Sequence, residues 1–365
     1  MSASKEQALK ALQEACNIKD RSDSPIAKVN GLAYLVIRRP DIEQASQFFV
    51  DYGLLIDRRT TNKLYLRGKS QDHHIIILEK GSAEISRIGL TASKEDLHKL
   101  AAFYNKPIKQ HEEPMGGNFV ELSDPNGTTL EINCDLAPLT PLAANNLPKL
   151  WNTAKTKPRL NQPVRNRIEP KLVAKLGHTL WSVKSMPKTV HWYQDTLGFI
   201  VSDFQFLPNE PQPIVAFMRC DNGDAPSDHH TMGFGTAIEL GHLHSAFEMD
   251  SFEELAVANQ WMGRRDYKHG WGIGRHILGS QVFDYWRDHY GDLFEHYADG
   301  DLFDNSVPTG YHFFSGVAQH QWGPEMTAEF KGVTRPLKIA KFLIKRLPNN
   351  DDLNIRRLIR MAKAI

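Results

Sequence analysis

The chain has 365 residues, 41% apolar and 24% charged, with a formal net charge of +1. That length suits two domains or one large one, and the near-neutral balance argues against nucleic-acid binding by the chain as a whole. Its three cysteines, Cys16, Cys134 and Cys220, have no CxxC spacing, which argues against a disulfide scaffold or thiolate zinc site and fits a reducing cytosol.

In chain order, residues 1–27 come first. They predict a short helix with Ser4 and Gln7 at capping-box spacing. Ala8, Leu9, Leu12 and Cys16 form its apolar stripe. The segment does not read as a signal peptide, and no run of about 20 apolar residues predicts a membrane span. A cytoplasmic location is expected.

Residues 28–135 open on a strand, Val29 to Leu35, followed by a helix from about Asp41 to Tyr52 that ends at Gly53. Residues 174–300 repeat the pattern: a strand from Lys175 to Leu180, then a helix from about Met186 to Leu197 that stops at Gly198. Further echoes follow. Asp72-His73-His74 matches Asp228-His229-His230, and Ser93-Lys94-Glu95-Asp96-Leu97 matches Ser251-Phe252-Glu253-Glu254-Leu255. Asp124 to Glu131 matches Asp288 to Glu295. A helix-and-strand unit run twice predicts a duplicated α+β architecture whose sheets curl around a cavity.

Between the halves, residues 136–173 predict a linker with a short helix near Leu150 to Thr156. Residues 301–365 form an extension. From Arg335 it is basic and amphipathic, Pro336 to Leu347 in particular. Such a helix is expected to pack its apolar face on the body or on a neighbouring subunit, which favours a homo-oligomer over stable membrane association.

Chemistry concentrates in the second half. His178 sits on its first strand, His244 on a later one and Glu295 on its last. Aligned by sequence, the first half has Leu32, Ser86 and Glu131 there, so it lacks two of the three donors. Two histidines and a carboxylate with open positions suit non-haem Fe(II), and Mn(II) takes similar ligands. Zinc prefers a closed tetrahedron with one water, and ligand types alone do not exclude it. His229-His230-Thr231, His276 and Tyr285 surround this set. The stretch Gly274 to Glu295 reads as one β-hairpin turning at Asp288 to Gly291, with His276, Tyr285 and Glu295 near a common cavity. A diol-cleaving site needs a base, an acid and hydrogen-bond donors, and these residue types supply them.

The second half resembles the type I extradiol ring-cleaving dioxygenases of the vicinal oxygen chelate superfamily, with the first half matching more weakly. The matching segments are Leu176-Gly177-His178, His229-His230-Thr231, Leu243 to Glu248, Gly274-Arg275-His276 and Tyr285 to Glu295. The resemblance implies tandem modules of paired βαβββ units. It implies Fe(II), or Mn(II), held by His178, His244 and Glu295. It makes His230 the acid/base histidine, and His276 and Tyr285 the hydrogen-bonding partners of substrate and oxygen. The implied reaction opens a small aromatic diol with O₂. Asp284 stands where the family usually has an aliphatic residue, and His289 where its turn usually has proline. A glyoxalase-like isomerase or lyase, or a small-molecule-binding protein without catalysis, are the other readings of this scaffold.

Overall fold

Local signals set the helices. The computed structural model describes residues 3–142, 151–237, 240–328, 330, 347 and 350–364. Helix α1 (Ala3–Ala15) buries Leu12 and half-buries Ala8 and Leu9, with Cys16 following. It already contains Ser4, so Ser4 is not its cap. The first module then runs β1 (Val29–Arg39), α2 (Ile42–Asp51), β2 (Leu55–Arg59), β3 (Lys63–Arg67), β4 (Ile76–Lys80), β5 (Glu84–Ala92), α3 (Lys94–Phe103), β6 (Lys109–Gln110), β7 (Asn118–Ser123) and β8 (Thr129–Cys134). Asp41 caps α2 by accepting from the backbone N–H of Glu43 and Gln44, and Ser93 caps α3 through Asp96.

The second module repeats this order as β9 (Leu176–Ser182), α4 (Met186–Leu197), β10 (Ile200–Phe206), β11 (Val215–Arg219), the short β12 (Ser227–Asp228) and β13 (Met232–Gly235). It continues with β14 (Gly241–Glu248), α5 (Phe252–Gly263), β15 (Lys268–His276), β16 (Val282–Arg287) and β17 (Leu293–Ala298). Each module is thus a pair of βαβββ units. Ser251 caps α5 through Glu254 as Ser93 caps α3, which is the physical content of that sequence echo.

The first sheet has strand order β2-β3-β4-β1-β5-β8-β7-β6. In the second, the extension adds to both edges. After β18 (Leu302–Phe303), β19 (Gly310–Phe313) lies parallel to β10, and β20 (His320–Trp322) lies antiparallel to β15. The resulting order is β19-β10-β11-β13-β9-β14-β17-β16-β15-β20. Edge strands left open invite pairing with other chains, and these additions cover them. The last helix, α6 (Ile355–Ala364), buries Arg357, which donates to the carbonyls of Asp352 (2.8 Å) and Gln212 (2.9 Å).

One apolar cluster spans both modules. Phe294 of β17 meets Phe48 and Phe49 of α2 at ring distances of 5.7 and 5.1 Å, and His296 stacks on Tyr52 at 3.7 Å. Arg39, at the end of β1 and fully buried, reaches across to the carboxylates of Asp288 (2.8 Å) and Asp292 (2.5 Å) in the turn before β17. The carboxylate-bearing strand of the second module is therefore anchored in the first.

Two further expectations change, and one lies outside the described residues. No helix forms over residues 151–156, where Thr153 and Thr156 bond each other in a turn. Local side-chain bonds of this kind compete with helix. Leu150 lies outside the described residues, as does the basic segment Pro336 to Leu347 apart from Leu347. Finally, His276 is not on the hairpin with Tyr285 and Glu295. It ends β15, the third strand of a meander whose other two strands are β16 and β17. Ser280, with φ of +55°, turns the chain between β15 and β16. No described helix is long and apolar enough to cross a membrane.

Candidate metal centre

Strands β9, β14 and β17 lie side by side, and their register sets the centre. His178 pairs with Ala246, and Ala246 with Glu295, so His178 and Glu295 stand in one row across three strands. His244 is two residues before Ala246 and therefore on the same face. Gly177 precedes His178 because Tyr297 lies against that backbone: a Cβ there would come within 2.1 Å of its hydroxyl oxygen. The Nε2 atoms of His178 and His244 each lie 3.3 Å from Oε2 of Glu295. One ligand atom from each of the three residues falls within 4.8 Å of the others, and all three residues are buried.

The donor set fits a divalent cation. Glu295 is fully buried, its Oε1 has no hydrogen-bond partner, and no Lys or Arg among the described residues pairs with it. Burial pushes this carboxyl up, but the hydrogen bonds and charge of His178 and His244 outweigh that and hold it well below the usual carboxylate range. Burial lowers His178 from the ordinary imidazole value, which favours the uncharged form that can offer a metal a lone pair. An ionised, buried carboxylate without a cation is costly. A metal held by these three donors removes that cost.

Tyr285 pairs directly with Glu295 across β16 and β17, which brings the phenol beside the carboxylate. Its hydroxyl donates to His276 Nε2 at 3.0 Å, and His276 Nδ1 lies 2.9 Å from the carbonyl of Gln319. That carbonyl only accepts, so it fixes the proton on Nδ1 and leaves Nε2 as the acceptor. Burial pushes His276 down to about 4. His230 stands on the other side, its ring 4.0 Å from His178 and 4.8 Å from Phe217. Burial, then the neighbouring imidazoles, drive it well below the ordinary value. The six sequence-predicted residues thus converge on one site. The extension closes it: Trp271, stacked on Tyr285, donates to the Pro324 carbonyl (2.7 Å), and Met326 and Phe330 pack on the same cluster.

The first module corrects the sequence alignment. There Glu131 pairs with Gly89 and Gly89 with Tyr34. Tyr34, not Leu32, occupies the position of His178, and Arg87, not Ser86, that of His244. The longer, bulged β1 shifts the match by two residues along the strand. Tyr34 donates to Glu131 at 2.6 Å, and the Arg87 guanidinium lies 2.8 Å from its other oxygen. A guanidinium thus sits beside Glu131, whereas no side-chain cation among the described residues pairs with its counterpart Glu295. Replacing Arg87 with Ala should destabilise the fold by about 1.5–3 kcal/mol, the value of a hydrogen bond to a charged group. It should leave bound metal unchanged; urea denaturation alongside metal analysis checks both.

Several contributing residues gave no sequence signal. Asp284, where an aliphatic residue was expected, is fully buried and accepts from Trp286 (2.6 Å), His269 (2.7 Å) and Asn259 (3.1 Å). Its donors supply what a carboxylate in that position needs. Asp203 contacts both His229 and His312, and nothing local to it predicts either partner. An open groove of about 710 Å³ lined by Arg38, Glu84, Arg87, Trp181 and Lys184 includes none of the three candidate ligands.

Residues 175–295 match the model of the Glyoxalase/Bleomycin resistance protein/Dioxygenase superfamily. Metapyrocatechase 2 of Cupriavidus necator is 25% identical over 333 residues, which cover 85% of this chain and 95% of that protein. The fold is similar to that of homoprotocatechuate 2,3-dioxygenase from Arthrobacter globiformis (TM-score 0.69, 19% identity, 86% of this chain and 94% of that one). It is equally similar to a Mn(II)-bound glyoxalase from Novosphingobium aromaticivorans (TM-score 0.69, 20% identity, 83% and 94%). The second module thus matches the model of this superfamily, and the chain is similar over most of its length to these relatives and shares their tandem-module fold.

Proposed function

We propose that this protein is an extradiol dioxygenase that uses Fe(II) and O₂ to open a catecholic ring beside its hydroxyls, placing both oxygen atoms in the product. The observation that carries the reading is Glu295: a buried carboxylate flanked by two imidazoles, with no side-chain cation among the described residues, where the sister module supplies Arg87. Iron bound by His178, His244 and Glu295 would leave open positions for a chelating diol and for dioxygen, and would couple the two electronically.

The chain's own residues do the rest. His230, neutral and beside His178, takes a hydroxyl proton from the diol and later returns it. Tyr285 and His276 hold a hydrogen-bonding chain against the side of the site nearest Glu295 and stabilise charge that develops on oxygen there. Trp271, Phe283 and the residues of the extension packed on them keep that side dry, which strengthens those hydrogen bonds. The name of the Cupriavidus relative supports a catechol-type substrate.

The test is oxygen uptake by anaerobically prepared, Fe(II)-loaded protein across a panel of catechols, with ring-fission absorbance read in parallel. Uptake with a yellow product is expected. His230→Ala should keep its iron and lose about a hundredfold in kcat, the scale of one general acid–base group. The likeness to a Mn(II)-bound glyoxalase favours a second reading, a metal-dependent isomerase or lyase at the same centre. Metal bound without uptake on any catechol would select it.

A further inference from the structure

The His229-His230 pair is wired to the extension. Nδ1 of His229 lies 2.9 Å from Nδ1 of His230, and its Nε2 lies 2.5 Å from Oδ2 of Asp203. The other oxygen of Asp203 accepts from Nε2 of His312, at 2.7 Å. His312 is on β19, which pairs parallel with β10 so that Gly310 faces Asp203. Only glycine permits that approach: a Cβ at Gly310 would lie 2.0 Å from Oδ1 of Asp203 and 2.6 Å from Nε2 of His312. The row runs from a half-exposed His312 (40% of its side chain) through a nearly buried Asp203 and a fully enclosed His229 to the site.

Proton positions follow from donor and acceptor rules. An ionised carboxylate only accepts, so Nε2 of His229 carries a proton toward Asp203. In neutral His229, Nδ1 is then a bare lone pair. The short contact to His230 is satisfied only if His230 Nδ1 carries the proton. That leaves Nε2 of His230 unprotonated. Asp203 stays ionised: burial raises it, but its bonds to His229 and His312 outweigh that and lower it.

The geometry points to Asp203 and His312 as positioning residues that act through His229 to hold His230 in the tautomer whose bare Nε2 accepts a proton. The extension thus sets the state of the base, a role beyond closing the site. That this base serves ring cleavage rests on the reading above; the tautomer itself does not. The first module shows what is architecture and what is not. His73 and His74 make the same Nδ1 to Nδ1 contact at 2.9 Å. Yet no carboxylate among the described residues hydrogen-bonds to His73. The paired rings belong to the fold; Asp57 acts on His73 through its charge alone, whereas in the module with the candidate metal site the carboxylate is hydrogen-bonded to the pair.

The experiment uses the full chain labelled with ¹⁵N-histidine and loaded with diamagnetic Zn(II), with long-range ¹H–¹⁵N spectra reading each ring nitrogen. Wild type should show His230 protonated at Nδ1 and bare at Nε2. In Asp203→Ala a population with the proton on Nε2 should appear, and kcat of the Fe(II) enzyme should fall about tenfold to a hundredfold, with KM and metal content within about twofold. His312→Ala should fall severalfold, and His312→Gln, whose amide still donates to Asp203, should recover. A wild-type His230 protonated at Nε2, or a tautomer unmoved in Asp203→Ala, overturns the proposal. If Asp203→Ala does not fold, the His312→Ala and His312→Gln pair decides on the same readouts. Equal spectra and rates in those two would overturn it. Wild-type protein inactive on every catechol would remove the ring-cleavage reading and leave the spectra to decide the tautomer.

Discussion

Glu295→Ala is expected to abolish stable metal binding and lower turnover by about a thousandfold or more. A bound metal supplies several kcal/mol of charge stabilisation, and about 1.4 kcal/mol is tenfold in rate. The loss is expected to be this large because the carboxylate is the one anionic donor of the three. His178 and His244 would remain as two imidazole donors, which carry no negative charge to offset that of a divalent cation. Metal analysis after gel filtration, with oxygen uptake on the best catechol, reads both effects. Glu131→Ala is the matched control. It removes the corresponding carboxylate of the first module, which pairs with Arg87 and Tyr34, so it should cost stability and leave metal content intact. Stoichiometric metal in Glu295→Ala would remove this residue from the candidate centre. Metal lost from Glu131→Ala would mean that the first module also holds an ion.

Arg39→Met should be the most destabilising single change at the module boundary, by roughly 3–5 kcal/mol, as when one partner of a buried ion pair is removed. Arg39 is fully buried, and its guanidinium holds Asp288 and Asp292 together. Asp292 is held down at about 2: burial raises it, but hydrogen bonding and charge from His242 and Arg39 prevail. Without the guanidinium, a buried Asp288 and a half-buried Asp292 are left close together in the turn that delivers Glu295. Urea unfolding should show a lower midpoint at an unchanged slope. Arg39→Met combined with Asp288→Asn should recover part of the loss, since contacting residues are not additive. A midpoint within about 0.5 kcal/mol of wild type, the range of ordinary surface changes, would show that the apolar contacts of Phe294 with Phe48 and Phe49 carry the interface without the ion pair.

The sequence by itself determined the local features. Serine and aspartate caps, apolar periods and the repeated motifs act over a few residues, so α2, α3, α4 and α5 fall where those signals place them. The duplicated α+β build and the cluster of His178, His230, His244, His276, Tyr285 and Glu295 were legible for the same reason, since each motif marks one strand or strand end. Only the tertiary structure decided how the strands pair. Bulges between Leu32 and Tyr34, and between Ala246 and Phe247, reset which residues face each other, so Tyr34 and Arg87 replaced Leu32 and Ser86 as the counterparts of the histidines. A bulge sets two residues of one strand against one of its partner, and the sequence of a single strand does not show what its partner presents. Arg39 meets Asp288 across 249 residues, and Asp203 meets His312 across 109. Whether a buried charge has a partner is a property of neighbours that distant, and folding alone brings them together.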